Sequence, residues 1–204
     1  MYALIEDNSI SKLITNPKSM VIGDVRYPAK IFQLWSQDEL NALGIYEVIT
    51  DLTNFKDEAY YINTNEEYNF ADGQVTRSWG TATPKRLEDE DAVDQDGENI
   101  LDDDGNQVIN YGLKTQKKRI VKQQASGLLE KTDWHNHKAL DDETYTTPDN
   151  IKTYRANVRA KSNEMETQID ACTTVQELET LYTYTTDDDG VQSRPLAEFP
   201  KEVV

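Results

Sequence analysis

The chain has 204 residues, 38 acidic against 21 basic, and a formal charge of −17. That excess works against wrapping a phosphate backbone or lying on an anionic bilayer, and no stretch reaches the ~20 apolar residues needed to span one. Leu, Ile, Val and Phe together make up about 22% of the chain, so the core is thin, and the single cysteine, Cys172, rules out an internal disulfide framework or a paired-cysteine metal knuckle.

Residues 1–84 read as a small β-rich domain. Short apolar runs at Tyr2–Ile5, Ser9–Thr15 and Met20–Ile22 are separated by Asp7-Asn8, Asn16-Pro17 and Gly23-Asp24, a pattern of strands and turns. The N-terminus lacks the basic and long apolar regions of a secretory signal, which predicts a chain that stays in the cytoplasm where it is made. One helix interrupts the strands: Ser36-Gln37-Asp38-Glu39 is a capping box, and Gly44 is placed to end the helix. Strand character resumes at Ile45–Thr50, and Tyr68, Phe70, Val75 and Trp79 around Ala71-Asp72-Gly73 predict a hairpin.

Residues 85–112 read as an acidic insertion or linker. Between Glu88 and Asp104 stand ten acidic residues and no lysine or arginine, with turn signals at Asp96-Gly97 and Asp104-Gly105. From Lys114 the period becomes helical, with Ile120, Val121, Ala125, Leu128 and Leu129 at helical spacing and a basic run from Lys114 to Lys122 that is expected to neutralise the acidic segment before it. Thr147-Pro148-Asp149 then supplies an N-cap, a first-position proline and a first-turn acid. The helix that follows carries Ile151, Tyr154, Val158, Met165 and Ile169 in one stripe, with Arg155 beside it; the stripe either packs internally or docks a partner. Thr174-Val175-Gln176-Glu177 is a second capping box, so residues 113–184 read as a helix followed by a helical hairpin, and 185–204 as an extended tail. The whole is an α+β chain.

Chemistry is harder to find. Aligning Gly97, Gly105 or Gly190 with the glycine of a calcium loop leaves the first and last ligand positions wrong each time, so hairpin turns with solvated acids are the better account. His135 and His137, read as part of a surface loop, are expected to bind no metal with Cys172 or without it. Cys172 lies between two predicted helices among apolar neighbours, the setting of an inert thiol. No phosphate-cradling glycine motif or nucleophile elbow is present, so neither a cofactor nor a catalytic residue is expected.

Leu128-Leu129-Glu130-Lys131-Thr132-Asp133-Trp134, followed by Pro148 to Arg159 with its Tyr-Arg-x-x-Val-Arg pattern and then Met165 to Leu181, resembles the C-terminal region of bacteriophage tail-fibre assembly proteins and related small tail proteins. Ile31 to Ser36 and Leu43 to Tyr46 resemble their N-terminal segments more faintly. One departure is His135-Asn136-His137, where that family continues with apolar residues. The resemblance implies a non-enzymatic tail protein, either an assembly chaperone or a component of the fibre or baseplate. Its partner would be a tail-fibre or baseplate protein or a second copy of itself, with no nucleic acid and no membrane, in the host cytoplasm during assembly or in the virion tail. The competing reading is an acidic DNA mimic that inhibits a host nucleic-acid-binding protein.

Overall fold

The computed structural model describes residues 1–202. It is an α+β chain of two compact units that divide after Pro84.

In the first unit, strand β1 (Tyr2–Glu6) turns through Asp7 and Asn8, both at positive φ, into β2 (Ser9–Ile14). A small hairpin, β3 (Met20–Ile22) with β4 (Val25–Tyr27), follows, then two short helices, α1 (Ile31–Leu34) and α2 (Gln37–Ala42). The α1 turn was not predicted. The α2 box is complete, with Ser36 Oγ accepting from the Glu39 amide and Glu39 accepting from the Ser36 amide, and Gly44 at φ +79° reverses the chain. A side chain at Gly44 would lie 2.6 Å from the Ile5 carbonyl oxygen, so only glycine allows the close approach that seats the Ile5 N–H···O=C Gly44 bond.

Strand β5 (Ile45–Thr50) pairs with β1 antiparallel and, less expectedly, with a later strand in parallel. After β6 (Tyr61–Ile62) comes the predicted hairpin, β7 (Glu67–Ala71) and β8 (Gln74–Ser78), turning through Asp72 and Gly73; β9 (Thr83–Pro84) pairs back on β6. The main sheet runs β2-β1-β5-β8-β7, with β5 and β8 parallel. It curls until Cα atoms of its edge strands, β2 and β7, come within 8 Å. Inside the curl Ala3, Val48 and Val75 pack with Ile10 and Phe70; on the other face Leu4, Ile14 and Ile45 pack with Ile31 and Leu40 of the two helices. Both faces are therefore apolar, which explains the near-continuous hydrophobic run in β1.

The second unit opens with the acidic segment, which folds tightly. β10 (Glu90–Asp91) pairs with β11 (Ile109–Asn110), and isolated bridges join Val93 to Asn99 and Leu101 to Gln107. The three arms close into a ring: Ala92 N–H donates to Val108 C=O at 2.8 Å, Val108 N–H to Ile100 C=O at 2.9 Å, and Ile100 N–H to Ala92 C=O at 2.9 Å. Each arm gives to one neighbour and accepts from the other, and small, buried Ala92 sits among them. The acids make the corners. Asp94 Oδ1 accepts from the amides of Asp96 and Glu98, and Asp102 Oδ1 from those of Asp104 and Asn106. The same Asp-x-Asp-Gly corner recurs at Asp187, whose Oδ1 accepts from Asp189 and Val191, a repeat that was not recognised in the sequence.

Helix α3 (Leu113–Glu130) starts under this ring. Its first amides are taken by the carbonyls of Arg86 and Leu87, and the Gly112 amide by Asp89 Oδ1. A Cβ on Gly112 would lie 2.3 Å from the Glu88 carbonyl oxygen, so glycine is what admits that strap. Then come α4 (Asp133–Asp141), α5 (Asp149–Ala171) and α6 (Val175–Tyr182), with α5 packed against α3 and α6. α5 begins one residue later than predicted. Pro148 takes the cap position, and Thr147, expected as the cap, is buried and donates to the His135 carbonyl instead. The second capping box, Thr174 with Glu177, forms as predicted.

The tail does not run free as expected. β12 (Thr185–Thr186) and β13 (Gln192–Ser193) form a hairpin on the third aspartate corner. Leu196 is then buried, its amide bonded to the Leu181 carbonyl, and Phe199 packs on the cluster of Ala125, Tyr154 and Val158. A thin core recruits the tail to cover its stripe.

Candidate interaction surface

The stripe residues Ile151, Tyr154, Val158, Met165 and Ile169 are all buried within the chain, and so is Arg155. Ser162, also buried, fills the gap between Val158 and Met165 at spacings of four and three; a small polar residue hid that turn of the pattern from the sequence. Burial pushes the Tyr154 hydroxyl pKa up, with Glu202 acting the same way and Lys131 against it.

The basic run does something other than expected. Lys114 pairs with an acid of that segment, at 2.5 Å from Glu88. Lys118 and Lys122 instead meet Asp170 at 2.7 Å and Glu166 at 3.2 Å on α5, while Lys117 and Arg119 lie over the rings of Tyr182 and Tyr111. Lys118 and Lys122 lace α3 to α5 because helices packed side by side bring i, i+4 rows of opposite sign face to face, whereas sequence neighbours point elsewhere. The Asp170 hydrogen bond holds the Lys118 pKa above its ordinary value.

Arg155 joins the two halves of the motif that carries the family resemblance. One of its guanidinium nitrogens, Nη1, donates to the Leu129 carbonyl at 2.8 Å and to Thr132 Oγ1 at 2.7 Å; the other, Nη2, lies 2.7 Å from Asp133 Oδ1. Leu129 is at the C-terminal, negative end of α3, and Asp133 is in the first turn of α4, where an acid is favoured. One buried cation thus satisfies the end of one helix and the start of the next. Thr132, Asp133, Tyr154 and Arg155 are used up inside the unit.

Trp134 is not. It is 55% exposed, and no residue of α4 is buried. Its ring stacks on His135 with centroids 3.7 Å apart, His135 Nδ1 is hydrogen-bonded to the Tyr145 hydroxyl, and Lys138 Nζ stands 4.4 Å from the Tyr145 ring centre. Tyr145 is positioned by a turn in which Asp142 Oδ1 accepts from the amide and hydroxyl of Thr144, bonds that hold the Asp142 carboxyl below its usual range. The outcome is a rigid aromatic shelf, with Leu140, 82% exposed, farther along the same helix.

The two histidines were expected on a loop. They lie on α4, where residues two apart point about 200° from one another. Among the described residues no group of three or more His, Cys, Asp or Glu side chains is placed to hold a metal ion, and no helix is long and apolar enough to cross a membrane. Cys172 is buried with its Sγ 3.5 Å from the Gln168 carbonyl; burial, then Glu177, pushes its thiol pKa up. Of the acids that a DNA mimic would display, Asp94, Asp102 and Asp187 are turned onto their own backbone amides. No protein-family model, curated protein or solved structure matches this chain.

Proposed function

We propose that the chain is a non-enzymatic bacteriophage tail protein, an assembly chaperone or a fibre- or baseplate-associated component, that engages its tail partner through Trp134 and the outer face of α4. The observation that carries this reading is the division of labour at the motif. Thr132, Asp133 and Arg155 are consumed in holding the α3–α4 joint, while the one residue of Thr-Asp-Trp with nothing to bury it is a tryptophan fixed in place by stacking. A rigid, exposed, amphipathic ring loses little entropy on docking, and tryptophan is the residue type most enriched among the residues that dominate interface energies.

Trp134→Ala is expected to leave the thermal midpoint nearly unchanged, within about 0.5 kcal/mol of stability, and to abolish co-purification with the tail-fibre or baseplate protein of the phage that encodes the chain. Mass spectrometry of mature particles separates the two roles: a component is retained, a chaperone is absent. Normal particles from a phage that lacks the gene, with the chain absent from wild-type virions, would refute both.

A further inference from the structure

The first unit carries a cationic face that nothing inside it uses. Residues 1–84 contain 12 acidic and 6 basic side chains, yet from Asn8 to Gln37 there are four basic residues, Lys12, Lys18, Arg26 and Lys30, against the single acid Asp24. The unit's other two cations are engaged: Arg77 with Glu66 at 2.7 Å and Lys56 over the Tyr61 ring. The four are exposed and have no carboxylate or ring partner among the described residues.

They share one region. Lys12 and Lys18 line a concavity of about 300 Å³ whose wall includes Val21. Arg26 is the cross-strand partner of Val21, and Lys30 lines an adjoining cleft beside Pro17. The surface is also apolar, with Val21 59% and Leu13 37% exposed, both lining that concavity. Four unpaired cations around exposed apolar side chains specify an occupant that is acidic and apolar at once.

A surface of that description stands on the second unit. In the three-armed ring, Asp91, Asp96, Glu98, Asp103 and Asp104 have no cationic partner among the described residues, and Val93, Ile100 and Leu101 are exposed between them. The ring's arms are closed on one another by backbone bonds, so it can present these side chains without first becoming ordered. We infer that the Lys12–Lys30 face of one copy docks the acidic ring of a second copy, a head-to-tail contact between unlike surfaces. The overall charge of −17 does not forbid this. Charges farther apart than a Debye length of about 8 Å are screened at physiological ionic strength, whereas the two faces meet closer than that. A nucleic acid is the less suitable occupant, since a phosphate backbone would leave Leu13 and Val21 unused and face the remaining acids of the unit along its whole length.

Two full-length variants test the contact. In the first, Lys12→Glu, Lys18→Glu and Lys30→Glu reverse the cationic face; in the second, Asp96→Asn, Glu98→Gln, Asp103→Asn and Asp104→Asn neutralise the ring while sparing Asp94 and Asp102, which close its corners. All seven side chains are exposed, and circular dichroism is expected to match the wild type. Sedimentation velocity at low salt is expected to show the wild type associating with rising concentration and weakening about tenfold or more between about 50 mM and about 500 mM salt. Each variant alone stays monomeric, and an equimolar mixture of the two gives a 1:1 dimer and nothing larger, because one intact face remains on each. A wild type that is monomeric up to about 1 mM, a face-reversed variant that still self-associates, or a mixture that stays monomeric overturns the inference. So does a monomeric wild type that binds a short DNA duplex or anionic vesicles through Lys12, Lys18 and Lys30. The Trp134 reading is untouched by any of these results, since Trp134 belongs to neither face.

Discussion

The two units solve the same shortage of apolar residues in different ways. The N-terminal unit curls one mixed sheet so that both of its faces are covered, and its order comes from backbone ladders, two of them hairpins and two, β1–β5 and β5–β8, between strands far apart in sequence. The C-terminal unit lays one apolar stripe against a neighbouring helix and fastens the joints with charged side chains: Arg155 at the α3–α4 corner, Lys118 and Lys122 between α3 and α5. The sheet unit can leave four cations idle because its backbone already determines which strands meet. The helical unit cannot, because a helix satisfies its own backbone and only side chains can say how two helices meet.

Three measurements would break or sharpen that contrast. The largest effect is expected at Val158, which is fully buried in the α5 stripe. Val158→Asp places an unpaired carboxylate there and should cost about 4 kcal/mol or more, a large part of the ~5–15 kcal/mol that holds a typical domain. Urea unfolding followed by the helical signal would show the midpoint fall; an unchanged midpoint would mean that the stripe is not core.

A smaller but more discriminating effect is expected from two arginines. Arg155→Ala removes a buried guanidinium and strands Asp133, which should cost about 2–4 kcal/mol. Arg77→Ala breaks a half-exposed pair with Glu66 in the sheet unit, where about 0–1 kcal/mol is usual. Equal losses in the two variants would end the claim that polar side chains matter more to the helical unit.

The smallest effect is a pH dependence that the units share. Glu177 is held below its ordinary carboxylate value of 4.5 first by the Thr173 amide and then by the Thr173 hydroxyl, and Glu39 likewise by the Ser36 amide and hydroxyl. A carboxylate whose pKa is depressed on folding contributes stability that is complete above its unfolded value and lost as the pH falls through the folded one. Each box should therefore weaken as the pH drops below 4.5, and Glu177→Gln or Glu39→Gln should flatten that acid limb by removing at pH 7 the increment that the wild type loses in acid. A wild-type melt that is insensitive to pH below 4.5 would show that the boxes contribute nothing.

Much of the local structure was legible. Both capping boxes, the Asp72-Gly73 turn, the reversal at Gly44 and the α5 stripe are written in residues three or four apart, or in one turn dipeptide, and each formed where it was read. The α3–α4 corner was not legible, since nothing in the spacing of Thr132, Asp133 and Arg155 says that one guanidinium will bond all of them with Leu129. The aromatic shelf was missed because His135 and His137 were read as a loop; the short helix that carries them buries nothing and so leaves no apolar period to detect.

By itself the sequence determined where α2 and α6 begin, where the Asp72-Gly73 turn falls and which face of α5 is apolar, because those choices are made by sterics and hydrogen bonds within one turn of chain. Only the tertiary structure decided that β5 and β8 run parallel, that three acidic arms close into a ring, that Lys118 and Lys122 reach across to α5, and that the tail returns to cover Tyr154. Those partners lie from 8 residues apart in the ring to 52 between Lys118 and Asp170, so their pairing depends on which surfaces the folded chain brings within a few ångströms, and no local pattern encodes it.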